Sequence, residues 1–141
     1  MKTMFAFGAA ALSALLFVST AAKADDARLD DAWKAAMEDN EGILTPAQLA
    51  GLNVLAYESA AARLCSELTL DEKKFGASVT AVAKGGEKLT EEEQVQRLAA
   101  VMYMLGTAHG LFLAEGSMKK DAFCAEAVKQ KADPEYKSNW Q

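Results

Sequence analysis

Apolar residues recur along this chain at helical rather than alternating spacing. Leu29, Trp33, Ala36 and Met37 form one stripe opposite an acidic side, and Phe75, Val79 and Val82 repeat at i, i+4 and i+7. Helix starts are marked three times by a Ser/Thr-x-x-Glu/Gln pattern: Thr45-Pro46-Ala47-Gln48, Thr69-Leu70-Asp71-Glu72 and Thr90-Glu91-Glu92-Glu93. In that pattern two side chains satisfy amide donors that the first helical turn leaves without partners. Pro46 strengthens the first start, because its fixed φ suits a helix and its missing N–H is not needed there. Helices are therefore predicted near Ala27–Asp39, Pro46–Cys65, Leu70–Lys84, Glu91–Ala114 and Met118–Lys131. Gly85-Gly86 breaks the third from the fourth, and Asp133-Pro134 follows the last. The expected fold is all-α, a small bundle of four to five helices.

The fourth helix stands apart, because Leu98–Ala114 runs seventeen residues without a charge and only Thr107 and His109 in it are distinctly polar. Such a helix is either the centre of a bundle or a membrane segment. Seventeen residues lie at the lower limit for spanning a bilayer, and two glycines and a histidine interrupt the run, so it is read as the enclosed axis. Gly106 and Gly110, one turn apart, would let another helix backbone approach that axis.

The beginning of the chain changes which residues need explaining. Lys2 gives a basic start, Phe5–Val18 a mostly apolar stretch, and Ala22-Lys23-Ala24 the small-x-small pattern of a cleavage site before Asp25. Residues 1–24 are thus expected to be a cleaved signal peptide and residues 25–141 one helical domain, periplasmic or secreted. Loss of Lys2 and Lys23 moves the net charge from −5 to −7, a balance unsuited to neutralising nucleic-acid phosphates. In an oxidising compartment the only two cysteines, Cys65 and Cys124, are expected to pair. No Cys-x-x-Cys motif points to redox chemistry.

Candidate chemistry is sparse. His109, the only histidine, falls on the stripe Leu98, Met102, Leu105, His109, Phe112, where protonation would place a charge in an apolar seam and loosen it. The alternative is a neutral imidazole hydrogen-bonded within the core. Met102, Met104 and Met118 near it are better explained as gap-filling side chains than as soft-metal ligands. Asp39 to Thr45 resembles the middle of an EF-hand loop, but Met37 and Gln48 stand where the first aspartate and the bidentate glutamate belong. Asp25, Asp26, Asp30 and Asp31, the pair Asp39 and Glu41, and Glu91, Glu92 and Glu93 keep hard-cation binding open as an alternative. Acidic residues at helix starts are also expected from the helix dipole alone. Glu58, seven residues before Cys65, shares the face that must approach the fifth helix, and Lys120 or Lys129 is its expected partner.

The parts of an enzyme are missing: no Gly-rich phosphate loop, no Gly-x-Ser-x-Gly elbow, and no evident nucleophile beside the lone histidine. The expected function is therefore binding without catalysis and without a cofactor, directed at a partner protein or an apolar ligand. Trp33 on the first helix and Trp140 in the polar tail are the candidate interface anchors, Trp140 docking either back onto the bundle or onto a partner. In outline this resembles small periplasmic helical chaperones of the stress-response kind with one disulfide, and no motif ties the chain to a particular family.

Overall fold

In the computed structural model, which describes residues 29–38 and 43–141, every regular element is helical: α1 (29–38), α2 (Pro46–Leu64), α3 (Glu72–Lys84), α4 (Glu91–Met118) and α5 (Lys120–Ala132). The expected signal peptide, Asp25, Asp26, Asp39 and Glu41 lie outside the described residues.

Local chemistry sets the helix starts. Thr45 caps α2 with a reciprocal pair of bonds, Gln48 N–H donating to Thr45 Oγ1 at 3.2 Å and Thr45 N–H donating to Gln48 Oε1 at 2.9 Å. The remaining Gln48 amide donates to the Val82 carbonyl at 2.9 Å, so the start of α2 is pinned to the end of α3. Thr90 and Glu93 make the same reciprocal cap on α4. Thr69 does not. The cap of α3 is Asp71, whose carboxylate accepts from Lys74 N–H at 3.0 Å. The reason is long-range: Thr69–Asp71 is held extended by the chain's own tail, with Asp71 N–H donating to the Asn139 carbonyl at 2.7 Å and Gln141 N–H donating to that of Thr69 at 2.8 Å. Leu70 and Trp140 thereby form an isolated antiparallel bridge. Gly85 ends α3 at φ +56°, a left-handed conformation that glycine adopts without penalty.

α4 continues through Gly116 to Met118, four residues beyond the expected end, and the turn falls at Lys119 instead. Gly116 is buried rather than a breaker. A Cβ there would lie 2.6 Å from Leu64 Cδ1 and 3.0 Å from a ring carbon of Phe123, so the missing side chain is what lets α2 and α5 close on α4.

The centre of the bundle is α2, not α4. α2 touches α3, α4 and α5, and it buries Gln48, Leu52, Leu55, Ala56, Glu58, Ala60 and Ala61. The three alanines allow neighbours to approach closely. α4 buries only Val101, Met104, Ala108 and Gly116, because it meets α2 along one side and little covers the other. The expectation that Leu98–Ala114 is an enclosed axis is thus overturned. α3 has no fully buried residue and leans Val79 and Val82 on the cluster Leu44, Leu52, Val101 and Met104, as an outer helix should.

At the opposite end a second cluster collects Ala61, Cys65, Leu68, Ala127 and Trp140. Cys65 at the end of α2 is bonded to Cys124 in α5, with Cα atoms 5.5 Å apart and a separation of 59 in sequence. Closing a loop of that length stabilises the fold by about 4 kcal/mol through the entropy it removes from the unfolded chain.

Candidate functional site

Since α4 rests on α2 through Val101, Met104 and Ala108, helical geometry turns the remaining side of its uncharged stretch outward. Val95 is 65% exposed, Leu98 52%, Met102 55% and Tyr103 56%. Ala99, Gly106, Gly110 and Ala114 continue the same side and are exposed as well. A Cβ built on Gly106 or Gly110 meets nothing within 4 Å, so the expected close approach of another helix of this chain at those glycines is not made. Among the described residues α4 is also the one helix long and apolar enough, by length and composition, to cross a membrane, and 22% of its most apolar stretch is buried.

A cleft of about 660 Å³ opens beside this face, between the end of α3, the turn after it and α4. Val79, Ala83, Leu89 and Leu98 give it apolar walls, with Lys84 and Gln94 at the polar edge. Leu98 belongs to both cleft and face. Arg97, on the adjoining side, is held by Glu87 at 2.7 Å.

His109 lies in the contact between α2 and α4, half-buried, with Nδ1 2.7 Å from Ser59 Oγ. That hydroxyl is also 2.9 Å from the Ala56 carbonyl. A serine hydroxyl has one proton, so if it donates to Ala56 the imidazole N–H donates to it, and if it donates to Nδ1 the carbonyl contact weakens. Either way the pair ties two helices. Ser59 was not singled out in the sequence, although it stands seven residues after Leu52 and so shares the side of α2 that meets α4.

The two tryptophans have intramolecular places. Trp33 is half-buried and packs edge-on against Phe112 with ring centroids 4.8 Å apart, so it closes α1 over α4. Trp140 is buried, which corrects the picture of an exposed anchor: of its two possible destinations it takes the bundle. Its indole N–H donates to the Glu58 carbonyl at 2.9 Å, and its ring meets Tyr57 and Tyr136.

Glu58 is the most unusual polar group in the core, fully buried yet not paired with Lys120 or Lys129. Lys129 instead pairs with Glu126 at 3.8 Å, while Lys120 is exposed. The carboxylate is met by the tail: Asn139 N–H donates to Oε1 at 3.2 Å, the Asn139 side-chain amide donates to Oε2 at 2.6 Å, and the Tyr136 hydroxyl donates to the same group. Asn139 also accepts from Ser78 Oγ at 2.9 Å. Buried acceptors need such donors, since an unsatisfied charged group costs several kcal/mol. Burial, and then the negative charge of Glu58, hold the Tyr136 phenol well above its usual pKa. Burial also raises that of Tyr57, helped by Glu126 and Glu115.

Among the described residues the acidic candidates are not brought together. Asp30 and Asp31 are exposed on α1, and Glu91, Glu92 and Glu93 are exposed at the start of α4. Glu93 is occupied by the Thr90 backbone and hydroxyl, which lower its pKa. No group of three or more His, Cys, Asp or Glu side chains suited to a metal ion occurs among the described residues. Compared with known protein families, curated proteins and solved structures, the chain matches none.

Proposed function

We propose that the protein is a non-catalytic binding protein of the periplasm or the secreted space, released from its signal peptide and working through the outward face of α4. The observation that carries this reading is the exposure of Val95, Leu98, Met102 and Tyr103 on one charge-free side of a helix whose other side is already packed. A contiguous apolar patch of that kind marks an interaction surface, because leaving it in water forfeits about 25 cal/mol for each Å² that a partner would cover. The disulfide is consistent with an oxidising exported compartment. The polar constellations inside the bundle are spent on structure. Ser59 and His109 join α2 to α4, and Glu58 holds the tail, so neither is poised toward a substrate.

Native mass spectrometry of the protein recovered from its own envelope tests the reading. Wild-type protein is expected to carry a noncovalent companion, whether protein, copy or apolar molecule, and a Met102→Asp variant to lose it. Recovery of both as bare monomers would overturn the proposal.

A further inference from the structure

We infer that the outward face of α4 pairs with the same face of a second copy of the chain, the two helices running antiparallel and crossing at Gly106. This rests on the reading of that face as the binding surface and names its occupant. Three observations carry it: the sizes of the exposed residues, their spacing about Gly106, and the charges at the two ends of the helix.

In a two-fold pair, residues at equal distances on either side of the crossing point face each other. Four residues before Gly106 is Met102 and four after is Gly110, so each Met102 faces the open space above a Gly110 of the second copy. Eight residues out, Leu98 faces Ala114. Large thus meets small at each step, and at the crossing itself two glycines let the backbones approach, the geometry by which small residues favour close helix pairs. All five positions are exposed in the single chain.

Charge fixes the direction. The exposed acids Glu91, Glu92 and Glu93 sit at the N-terminal end of α4, and the exposed lysines Lys119 and Lys120 follow its C-terminal end. α4 ends at Met118, so Lys119 and Lys120 stand just past its C-terminal end, and an antiparallel pair brings this basic end of one copy to the Glu91–Glu93 end of the other. A parallel pair would set acid on acid and lysine on lysine. Asp121, the next residue, lies in the first turn of α5, where it favours that helix's own amide ends. Between the charged ends the uncharged face offers nothing to a charged partner, whereas it buries against itself without stranding an ion.

The experiment uses the exported, disulfide-bonded protein. Sedimentation equilibrium is expected to show a concentration-dependent dimer, and Leu98→Asp is expected to weaken it by about tenfold or more. Gly106→Cys, at a position with room for a side chain, is expected to give a covalent dimer on mild oxidation. Leu98→Cys is not, because its two copies stand sixteen residues apart along the axis, about 24 Å. Cross-linking of both variants alike would overturn the antiparallel arrangement. A wild-type monomer that floats with phosphatidylcholine vesicles would overturn the second copy in favour of a lipid surface. A monomer carrying some other companion, lost on Met102→Asp, would remove the dimer and leave the binding reading standing. A monomer that carries nothing and is indifferent to Leu98→Asp would remove both.

Discussion

Helices α2 and α4 lie side by side and both are largely apolar, yet α2 buries seven of its nineteen residues and α4 four of its twenty-eight. The difference comes from neighbours rather than composition. α2 has α3, α4 and α5 around it, drawn close by Ala56, Ala60 and Ala61 and fastened by Gln48 at one end and Cys65 at the other. α4 has α2 behind it, α3 and α5 at its flanks and α1 over Phe112, while Val95, Leu98, Met102 and Tyr103 at its front are exposed. Apolar content tells how much a helix gains from being covered. It does not tell whether its own chain does the covering.

The comparison predicts where substitutions hurt. The largest effect is expected at the fastened end of α2: replacing Cys65 and Cys124 together by serine should lower unfolding free energy by about 4 kcal/mol, measured by urea denaturation, since the loop they close is long. Leu52→Ala should follow at about 3 kcal/mol, because Leu52 is fully buried against Val101 and Met104 and truncation leaves a cavity. A small loss at Leu52 would mean that α2 is not the centre.

Glu58→Gln comes next, at about 2 kcal/mol. The substitution keeps the shape but turns one acceptor into a donor, so it faces either an Asn139 N–H or the Tyr136 hydroxyl with another N–H. Calorimetry is the check, and a neutral outcome would mean that the tail is held by Trp140 and the backbone bonds to Thr69 and Asp71 rather than by the Glu58 carboxylate. Tyr136 gives the same contact a pH signature. Its phenol, with that of Tyr57, is held above its unfolded value near 10, so the folded state keeps protons that the unfolded state releases at alkaline pH. Stability from these groups is complete below about pH 10 and is lost as pH rises beyond it. Denaturation midpoints from pH 8 to 11 should therefore fall at the alkaline end, and Tyr136→Phe should make that fall shallower. An identical profile in the variant would separate Tyr136 from Glu58.

How far the sequence reached follows the same division between local and distant causes. The caps at Thr45 and Thr90 were legible because each is completed within four residues, and the pairing of Cys65 with Cys124 because there was no other partner. Thr69 carried the same pattern and failed, since its backbone is claimed by Gln141 from the far end of the chain. Glu58 was placed on the correct side of α2 by its spacing from Cys65, but its partners come from Asn139, 81 positions away, and no periodicity points there. The expected end of the fourth helix at Ala114 falls four residues short, because nothing local shows that Gly116 stays helical to admit Leu64 and Phe123. Leu98–Ala114 reads as an axis for the corresponding reason. An uncharged helix that fills a core and one that presents a face to a partner have the same composition, and only the positions of the other helices separate them.

The smallest expected effect is the one that discriminates best. Leu98→Asp puts a charge at the start of the long uncharged stretch of α4, and on an enclosed axis it would cost several kcal/mol or prevent folding. On an exposed face the carboxylate stays hydrated, so at concentrations where the chain is monomeric the unfolding free energy should change by no more than about 0.5 kcal/mol. Any larger loss should grow with protein concentration, because a ligand or partner that binds only the folded chain stabilises it by mass action and the variant forfeits that share. Running the same urea titration at micromolar and at hundred-fold higher protein therefore separates the two contributions. A concentration-independent loss comparable to that of Leu52→Ala would show that the front of α4 is core after all, and the contrast between the two helices would not survive it.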